Sequence, residues 1–440
     1  MAGTAITTGN AVTKKSWSET LSYMVGREPT SMKSLTGPMP TEDEVLRKRK
    51  QQSSQFMPIV RVDELTKTAG DKVQVDCGQI LKFNVIMGDE NAEGRGPAMD
   101  YSTQELVLNM ATLPVSAGGK MSQQRTVHDL RKRAIYELSE VMPRFRWQRA
   151  LVHMAGSRGK NDGVDWVLPP NTAAGPAADL AAKMVNPVRA PTYNRHFVVS
   201  AGGLVQGGAQ LASILTTDVM RLSVIDEMAA IWSEMAIRMR PIRIDDDPAA
   251  TDSPIKGVFF MDQLVWDNLI TDTTAANNIR KWEADAMRRA EVGNMKNHPL
   301  FSGQCFLWGD ILMRKMNFPI RFDASDAVAH ITAANRYTAT ETNVTVAAGL
   351  STTHQVARSL FLGAQALALV SGGGSNMSEE TYSLLEKHTD NFGRNSEFAG
   401  ELMGTEGKLR WSFPTATAGQ FEPTDYGVMV VDSVVRKRPT

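Results

Sequence analysis

Only two cysteines occur in the 440 residues, Cys77 and Cys305. No CxxC pair or Cys/His cluster accompanies them, which excludes a disulfide framework and a structural zinc site. Such sparse usage fits a reducing cytosol. No run of 18 apolar residues is present, so no helical membrane span is expected. Residues 1–17 are polar and rich in small side chains, without the apolar stretch of a signal peptide. Neither sign of charge prevails, with 48 Lys plus Arg against 48 Asp plus Glu. A freestanding nucleic-acid binder carries a basic excess to neutralise phosphate, so nucleic-acid binding is not expected as the main activity. A local basic patch is still compatible with this balance.

Motifs for chemistry are equally scarce. The seven histidines are His128, His153, His196, His298, His330, His354 and His388, and no two have the spacing of an H-x-x-x-H metal pair. Each reads as a surface or core residue. Ala155-Gly156-Ser157-Arg158-Gly159 falls short of G-x-S-x-G and follows a helix, whereas a nucleophile elbow follows a strand. It reads as a helix stop. Gly202-Gly203, Gly207-Gly208 and Gly372 to Gly374 lack a following G-K-[ST], so they read as turns. Asp245-Asp246-Asp247 lacks the spaced oxygens of a calcium loop and reads as a solvated turn before Pro248. No catalytic, cofactor-binding or metal residue is assigned, and the chain is not expected to be an enzyme. An enzyme would need a pocket with convergent, perturbed carboxylates and histidines.

What is present is enough for a large core. Hydrophobic residues make up 42% and charged residues 22%, too apolar for a wholly disordered chain. A chain of this length buries roughly three quarters of its unfolded surface. The 24 methionines pack adaptably, which suits a subunit that meets several environments.

Along the chain, residues 1–70 lack apolar periodicity and read as an extended arm with few apolar contacts to its own chain. An ordered tail here is expected to be held by something larger than one subunit. A capping box, Thr41 with Glu44, starts a short charged helix over 41–50. Val73, Val75, Ile80, Leu81, Phe83, Val85 and Met87 have the rough period of a strand, and 106–113 is its partner. Between them, 88–97 is a polar, glycine-rich loop. The whole reads as a hairpin that projects from the body and rests on a neighbour.

The best helix follows, with Val127, Leu130, Ala134, Leu138, Val141, Phe145 and Leu151 on one stripe. Arg131, Lys132, Arg133, Arg144, Arg146 and Arg149 supply a basic opposite face, expected to be solvated or to meet an acidic neighbour. Pro143 is expected to kink or split this helix. Residues 168–191 read as a surface insertion. A second helix is predicted over 218–239, with Thr217 as its cap. Further predictions are strands at 257–261 and 426–435, helices at 262–270 and 277–289, and an apolar run over 360–370. Mixed elements without regular βα alternation indicate an α+β fold.

Three segments resemble major capsid proteins of tailed bacteriophages, specifically the N-four-like family. They are Gly119-Lys120-Met121-Ser122-Gln123-Gln124-Arg125 with His128-Asp129-Leu130-Arg131, then His298-Pro299-Leu300-Phe301-Ser302-Gly303, then Leu360-Phe361-Leu362-Gly363-Ala364-Gln365-Ala366-Leu367. Asp390-Asn391-Phe392-Gly393-Arg394, Gly404, Lys408 and Asp425-Tyr426-Gly427-Val428 are similar to the family's C-terminal block. The likeness spans roughly 60–435 and departs from the pattern at 168–191 and 323–353.

The resemblance implies the Hong Kong 97 shell fold. Its parts would be an N-terminal arm over 1–70, an E-loop hairpin over 71–125, and a peripheral domain with spine helix and insertion over 126–256. An axial domain would cover 257–374, and 375–440 would return to the peripheral domain. It also implies a virion subunit that self-assembles into hexamers and pentamers of an icosahedral shell around double-stranded DNA, made in the bacterial host cytoplasm. Scaffold, portal and decoration proteins, and packaged DNA at the inner face, would be its partners; no membrane is involved. An encapsulin-like compartment of the same fold is the alternative.

Overall fold

The computed structural model describes residues 30–37, 55–62, 70–78, 85–88, 91, 93–96, 101–119, 130–160, 166–170, 178–201, 203–244, 247, 249, 252–271, 279–292, 298–301, 305–350, 353–372, 382–387, 395–415, 417 and 420–437. The expected ordered tail, the 41–50 helix and the 120–129 segment lie outside them.

In chain order, α1 (Thr30–Leu35) and β1 (Ile59–Val62) come first. The hairpin strands β2 (Lys72–Gly78) and β3 (Tyr101–Val107) follow, then β4 (Met110–Gly119) and the long helix α2 (Leu130–Ala155). The middle of the chain holds α3 (Ala178–Lys183), β5 (His196–Ser200), β6 (Gly203–Gln206), α4 (Leu222–Glu234), β7 (Gly257–Met261), α5 (Gln263–Thr271) and α6 (Ile279–Val292). Short strands β8 (Phe306–Trp308), β9 (Ile311–Lys315), β10 (Ile320–Phe322), β11 (Ala327–Ile331) and β12 (Glu341–Thr345) lead to β13 (His354–Leu362). The chain ends with β14 (Leu367–Ser371), β15 (Tyr382–Lys387), β16 (Asn395–Lys408), β17 (Arg410–Pro414), β18 (Phe421–Asp425) and β19 (Val428–Arg436).

Two sheets organise these elements. The larger runs β6-β5-β19-β13-β7-β9-β8, with β10 beside β13. Its middle strands, β7, β13 and β19, are buried at nearly every position. Their continuous apolar runs are what a sheet covered on both faces demands. The second sheet runs β1-β14-β16-β15, with β4 also on β16. The predicted apolar run over 360–370 is divided between the two. β13 ends at Leu362, Gln365 takes φ 58 in the left-handed region, and β14 begins at Leu367 in the other sheet.

The helix α2 joins the two sheets. Its first half places Ala134, Ile135, Leu138 and Met142 in one core with Phe398 and Leu402 of β16. Its second half places Trp147, Ala150, Leu151 and Met154 in the main core with Val258, Leu360, Val428 and Val430. The contact with β16 is close because Gly400 has no side chain; a Cβ there would overlap the Met142 sulfur. The helix runs without interruption through Pro143, so of the predicted kink or split the split does not occur. Pro143 removes one backbone donor, but burial of Met142, Phe145 and Trp147 on either side outweighs that loss. The helix ends at Gly156, which takes φ 69 and donates its N–H to the Val152 carbonyl at 2.9 Å.

Several expectations need correction. The arm is not free of intrachain contacts: Met32, Leu35, Met57 and Ile59 are buried in the main core, and β1 pairs in parallel with β14. The segment 106–113 is not one strand. It breaks after Val107, so that β3 pairs with β2 while β4 crosses to β16. The hairpin base is docked and not projecting, because Val73 and Leu106 pack on Leu409, Trp411 and Phe413. The helix α4 begins at Leu222 with Arg221 at its cap position and no side-chain cap, so Thr217 does not cap it.

Candidate assembly site

No sequence candidate for catalysis gains a partner set for chemistry among the described residues. Among the described residues, no group of three or more His, Cys, Asp or Glu side chains could hold a metal ion. His153, His196 and His330 are buried. His298 and His354 are half-buried, while His128 and His388 lie outside the described residues. Ser157 is buried, and its hydroxyl accepts the Gly159 N–H at 3.4 Å, a local bond of the helix stop. Asp247 corrects the solvated-turn reading. It is buried and pairs with Arg289 at 2.7 Å.

The basic face of α2 divides in the same way as the helix. Lys132 and Arg133 are exposed as expected. Arg146 and Arg149 are buried, and both approach Glu406 of β16, at 3.9 and 3.0 Å. The Arg149 Nη2 and Glu406 Oε2 lie at ion-pair distance without hydrogen-bond geometry. Charge, not directionality, holds that pair. One turn on, His153 has no partner for its Nε2. Burial, together with the nearby Arg149 and Lys408 cations, pushes its pKa down to about 3.

A second buried centre crosses the large sheet. Arg358 of β13 lies directly opposite Asp432 of β19. Its Nε and Nη2 donate to both Asp432 oxygens at 2.8 Å, a bidentate pair. His196 of β5 reaches the same carboxylate through Nε2 at 2.8 Å. The Arg358 Nη1 donates to the Ala155 carbonyl at 3.0 Å, so the pair also caps α2. Burial alone would raise the Asp432 pKa, but the Arg358 charge and the hydrogen bonds from Arg358 and His196 hold it far below the usual carboxylate range. Burial lowers the His196 pKa, and its bond to Asp432 only partly restores it.

The third centre is Asp425 at the end of β18. Lys408 and Arg410 each pair with it at 2.7 Å. Thr192 donates its backbone N–H to Oδ2 at 3.1 Å, and Arg195 Nε donates to the Asp425 carbonyl at 3.0 Å. Burial pushes Lys408 down to about 8 and Arg195 to about 10. The hairpin is latched here. Gln104 of β3 donates through Nε2 to the Lys408 carbonyl at 2.9 Å and accepts the Arg410 N–H at 2.7 Å. Ser102 accepts the Ser412 N–H at 3.1 Å.

These centres tie strands together and present no nucleophile beside a base. None was foreseen from the sequence, because the partners are far apart in it. The accessible apolar surface lies elsewhere. Val85 and Met87, at 76% exposure each, and Tyr101, at 61%, face solvent on and beyond the hairpin.

A family model described as phage capsid protein matches residues 4–437. The fold is similar to the capsid of Ralstonia phage GP4, at 24% identity and TM-score 0.65 over 88% of this chain and 89% of that one. It is similar to the Cyanophage Pam1 capsid asymmetric unit, at 16% identity and TM-score 0.56 over 91% and 96%. The acid-stable capsid of Helicobacter pylori bacteriophage KHP30 matches at 12% identity and TM-score 0.51 over 87% and 88%. A search of curated proteins gives no match.

Proposed function

The chain belongs to the phage capsid protein family and is a major capsid protein with the Hong Kong 97-type α+β shell fold; we propose that it builds the shell as hexamers and pentamers, closed icosahedrally around double-stranded DNA. Its place is the virion capsid. The observation that carries the reading is the family match across nearly the whole chain.

The proposed division of labour keeps the boundaries read from the sequence. The segment 71–125 is the E-loop, 126–256 the peripheral domain around α2, 257–374 the axial domain, and 375–440 the return to the periphery, with the last strand β19 shared with the axial strands through its pairing to β13. The segment 1–70 is the arm, anchored to its own core through α1 and β1. The hairpin is latched at its base and open beyond it, so its outer part lies across a neighbour. Burial of apolar surface between subunits drives closure. Balanced charge leaves the inner wall without a strong grip on the genome. Scaffold, portal and decoration proteins complete assembly, which takes place in the host cytoplasm. On this reading the subunit is assigned no catalytic, cofactor or metal residue.

Expression of the full chain, electron microscopy and nucleic-acid analysis of purified particles test this. Shells or capsomers are expected from the chain, and packaged double-stranded DNA from infected cells. Shells filled with a dedicated protein cargo would favour the encapsulin-like alternative. Dispersed subunits at every concentration would refute assembly.

A further inference from the structure

Among the described residues, β11 and β12 pair only with each other and form a ribbon apart from both large sheets. Two strands alone are marginal in water, so the ribbon depends on what lies beneath it. That support is a short 3-10 turn, Gly208–Ser213, set between β5 and the ribbon. The Ala347 N–H just past β12 donates to the Leu211 carbonyl of the turn at 2.9 Å. Val328 and Val344 of the ribbon share the main core with Leu211.

Two buried imidazoles meet at this junction, His196 of β5 and His330 of β11. A Cβ on Gly208 would lie 2.7 Å from the His196 Nδ1 and 2.7 Å from the His330 Cβ, so the two side chains crowd the space that this glycine leaves empty. Asp432 is ionised and can only accept, so the His196 Nε2 carries the proton of their bond and Nδ1 is bare. The Nδ1 atoms of His196 and His330 are both buried with no hydrogen bond. The His330 Nε2 has the Thr342 hydroxyl of β12 at 3.4 Å. The charged groups acting on the two rings are Arg358 of β13, Asp432 of β19 and Lys408 of β16. Arg358 already matches Asp432, and Lys408 is matched by Asp425. With both rings neutral the centre is balanced. Each added proton leaves a buried positive charge that no further anion meets. Burial lowers the His330 pKa, His196 and Arg358 lower it further, and the Ile331 backbone only partly restores it.

We propose that the His196–His330 contact is an acid-operated release: neutral, the two rings let the β11–β12 ribbon sit on the turn at Gly208, and protonated, they drive it off the large sheet. The inference does not depend on shell assembly, since every group in it belongs to one chain. Its direction follows from the two rings. Both are harder to protonate in the folded subunit than in a free chain, where the value is 6.5. The ribbon is therefore fully held above about pH 6.5 and is lost progressively as pH falls below it. The central strands do not share this dependence, because the Arg358–Asp432 pair stays ionised throughout.

The test is amide hydrogen exchange of the full chain at pH 7 and pH 5, expressed as protection relative to the intrinsic rate at each pH. In wild type, protection of 327–331 and 341–345 should fall by about tenfold or more at pH 5, while β13 and β19 keep theirs. In His330→Gln, which keeps an amide to face Thr342 and takes up no proton, protection of the ribbon should change by less than about threefold. A wild-type ribbon equally protected at both pH values would overturn the proposal. Equal loss in wild type and variant would also overturn it, since the proton would then act elsewhere. So would loss of β13 and β19 together with the ribbon, which is acid unfolding of the whole subunit. Should glutamine leave the ribbon unprotected at pH 7, His330→Asn takes its place with the same expected result. A ribbon unprotected at pH 7 in both variants would make His330 a structural prop and overturn the release.

Discussion

The hairpin β2–β3 and the central strands β13–β19 are both antiparallel pairs, yet they are finished to different degrees. In β13 and β19, all but the outermost residue of each strand is buried, and their one charged cross-strand pair, Arg358 with Asp432, is fully satisfied inside the chain. In β2 the burial alternates, with only Val73 fully buried. In β3 only Leu106 is. The first pair needs nothing from outside. The second has one face latched to β17 and the other open to solvent, which leaves it marginal as an isolated element. The contrast teaches where the subunit's own stability ends and the assembly's begins.

The largest effect should come from breaking the finished region. Arg358→Ala leaves Asp432 buried with only His196 beside it, and should cost the isolated subunit about 3–5 kcal/mol in denaturant unfolding. A double change, Arg358→Met with Asp432→Leu, should recover much of that loss. Leu138→Ala, at a site 1% exposed, should cost about 2–5 kcal/mol, measured in the same way.

An intermediate effect should follow pH. His153 has a folded pKa of about 3 against 6.5 when free. The unfolded chain therefore takes up a proton below pH 6.5 that the folded chain resists. The stability tied to neutral His153 is complete above pH 6.5 and is lost as pH falls toward 3, at no more than about 1.4 kcal/mol per pH unit. Urea unfolding of wild type and His153→Gln between pH 7 and 4 should show a steeper loss in wild type. Parallel profiles would show that His153 is not held neutral.

The smallest effect on the subunit should come from the open region. Met87→Ser, at a site 76% exposed, should change subunit stability by no more than about 0.5 kcal/mol. The same change should weaken shells, as read by their thermal dissociation.

The same contrast explains what was legible in the sequence. Strands predicted at 257–261 and 426–435, observed at 257–261 and 428–436, could be read because burial on both faces writes an unbroken apolar run. The long helix could be read from its stripe, and its basic face meets both expectations, with Lys132 and Arg133 solvated and Arg146 and Arg149 against the acidic Glu406, although which acid it meets was not legible. Periodicity reports only local environment, and Glu406, which meets both arginines, is more than 250 positions away. Asp247 was misread for the same reason, since nothing nearby announces Arg289. The arm was misjudged because Met32 and Leu35 mark only a single helical turn and Ile59 stands in a separate short strand, too little for a periodic pattern, yet each is fully buried. The parts that carry assembly were legible mainly as places where the apolar pattern fails to close on itself.

Amide hydrogen exchange, compared between isolated subunits and assembled shells, tests the central claim most directly. The account predicts that β13, β19, Val73 and Leu106 are protected in both states, and that residues 85–88 exchange fast in the subunit and become protected in the shell. Equal, rapid exchange at 85–88 in both states would contradict the claim that a second copy completes the hairpin.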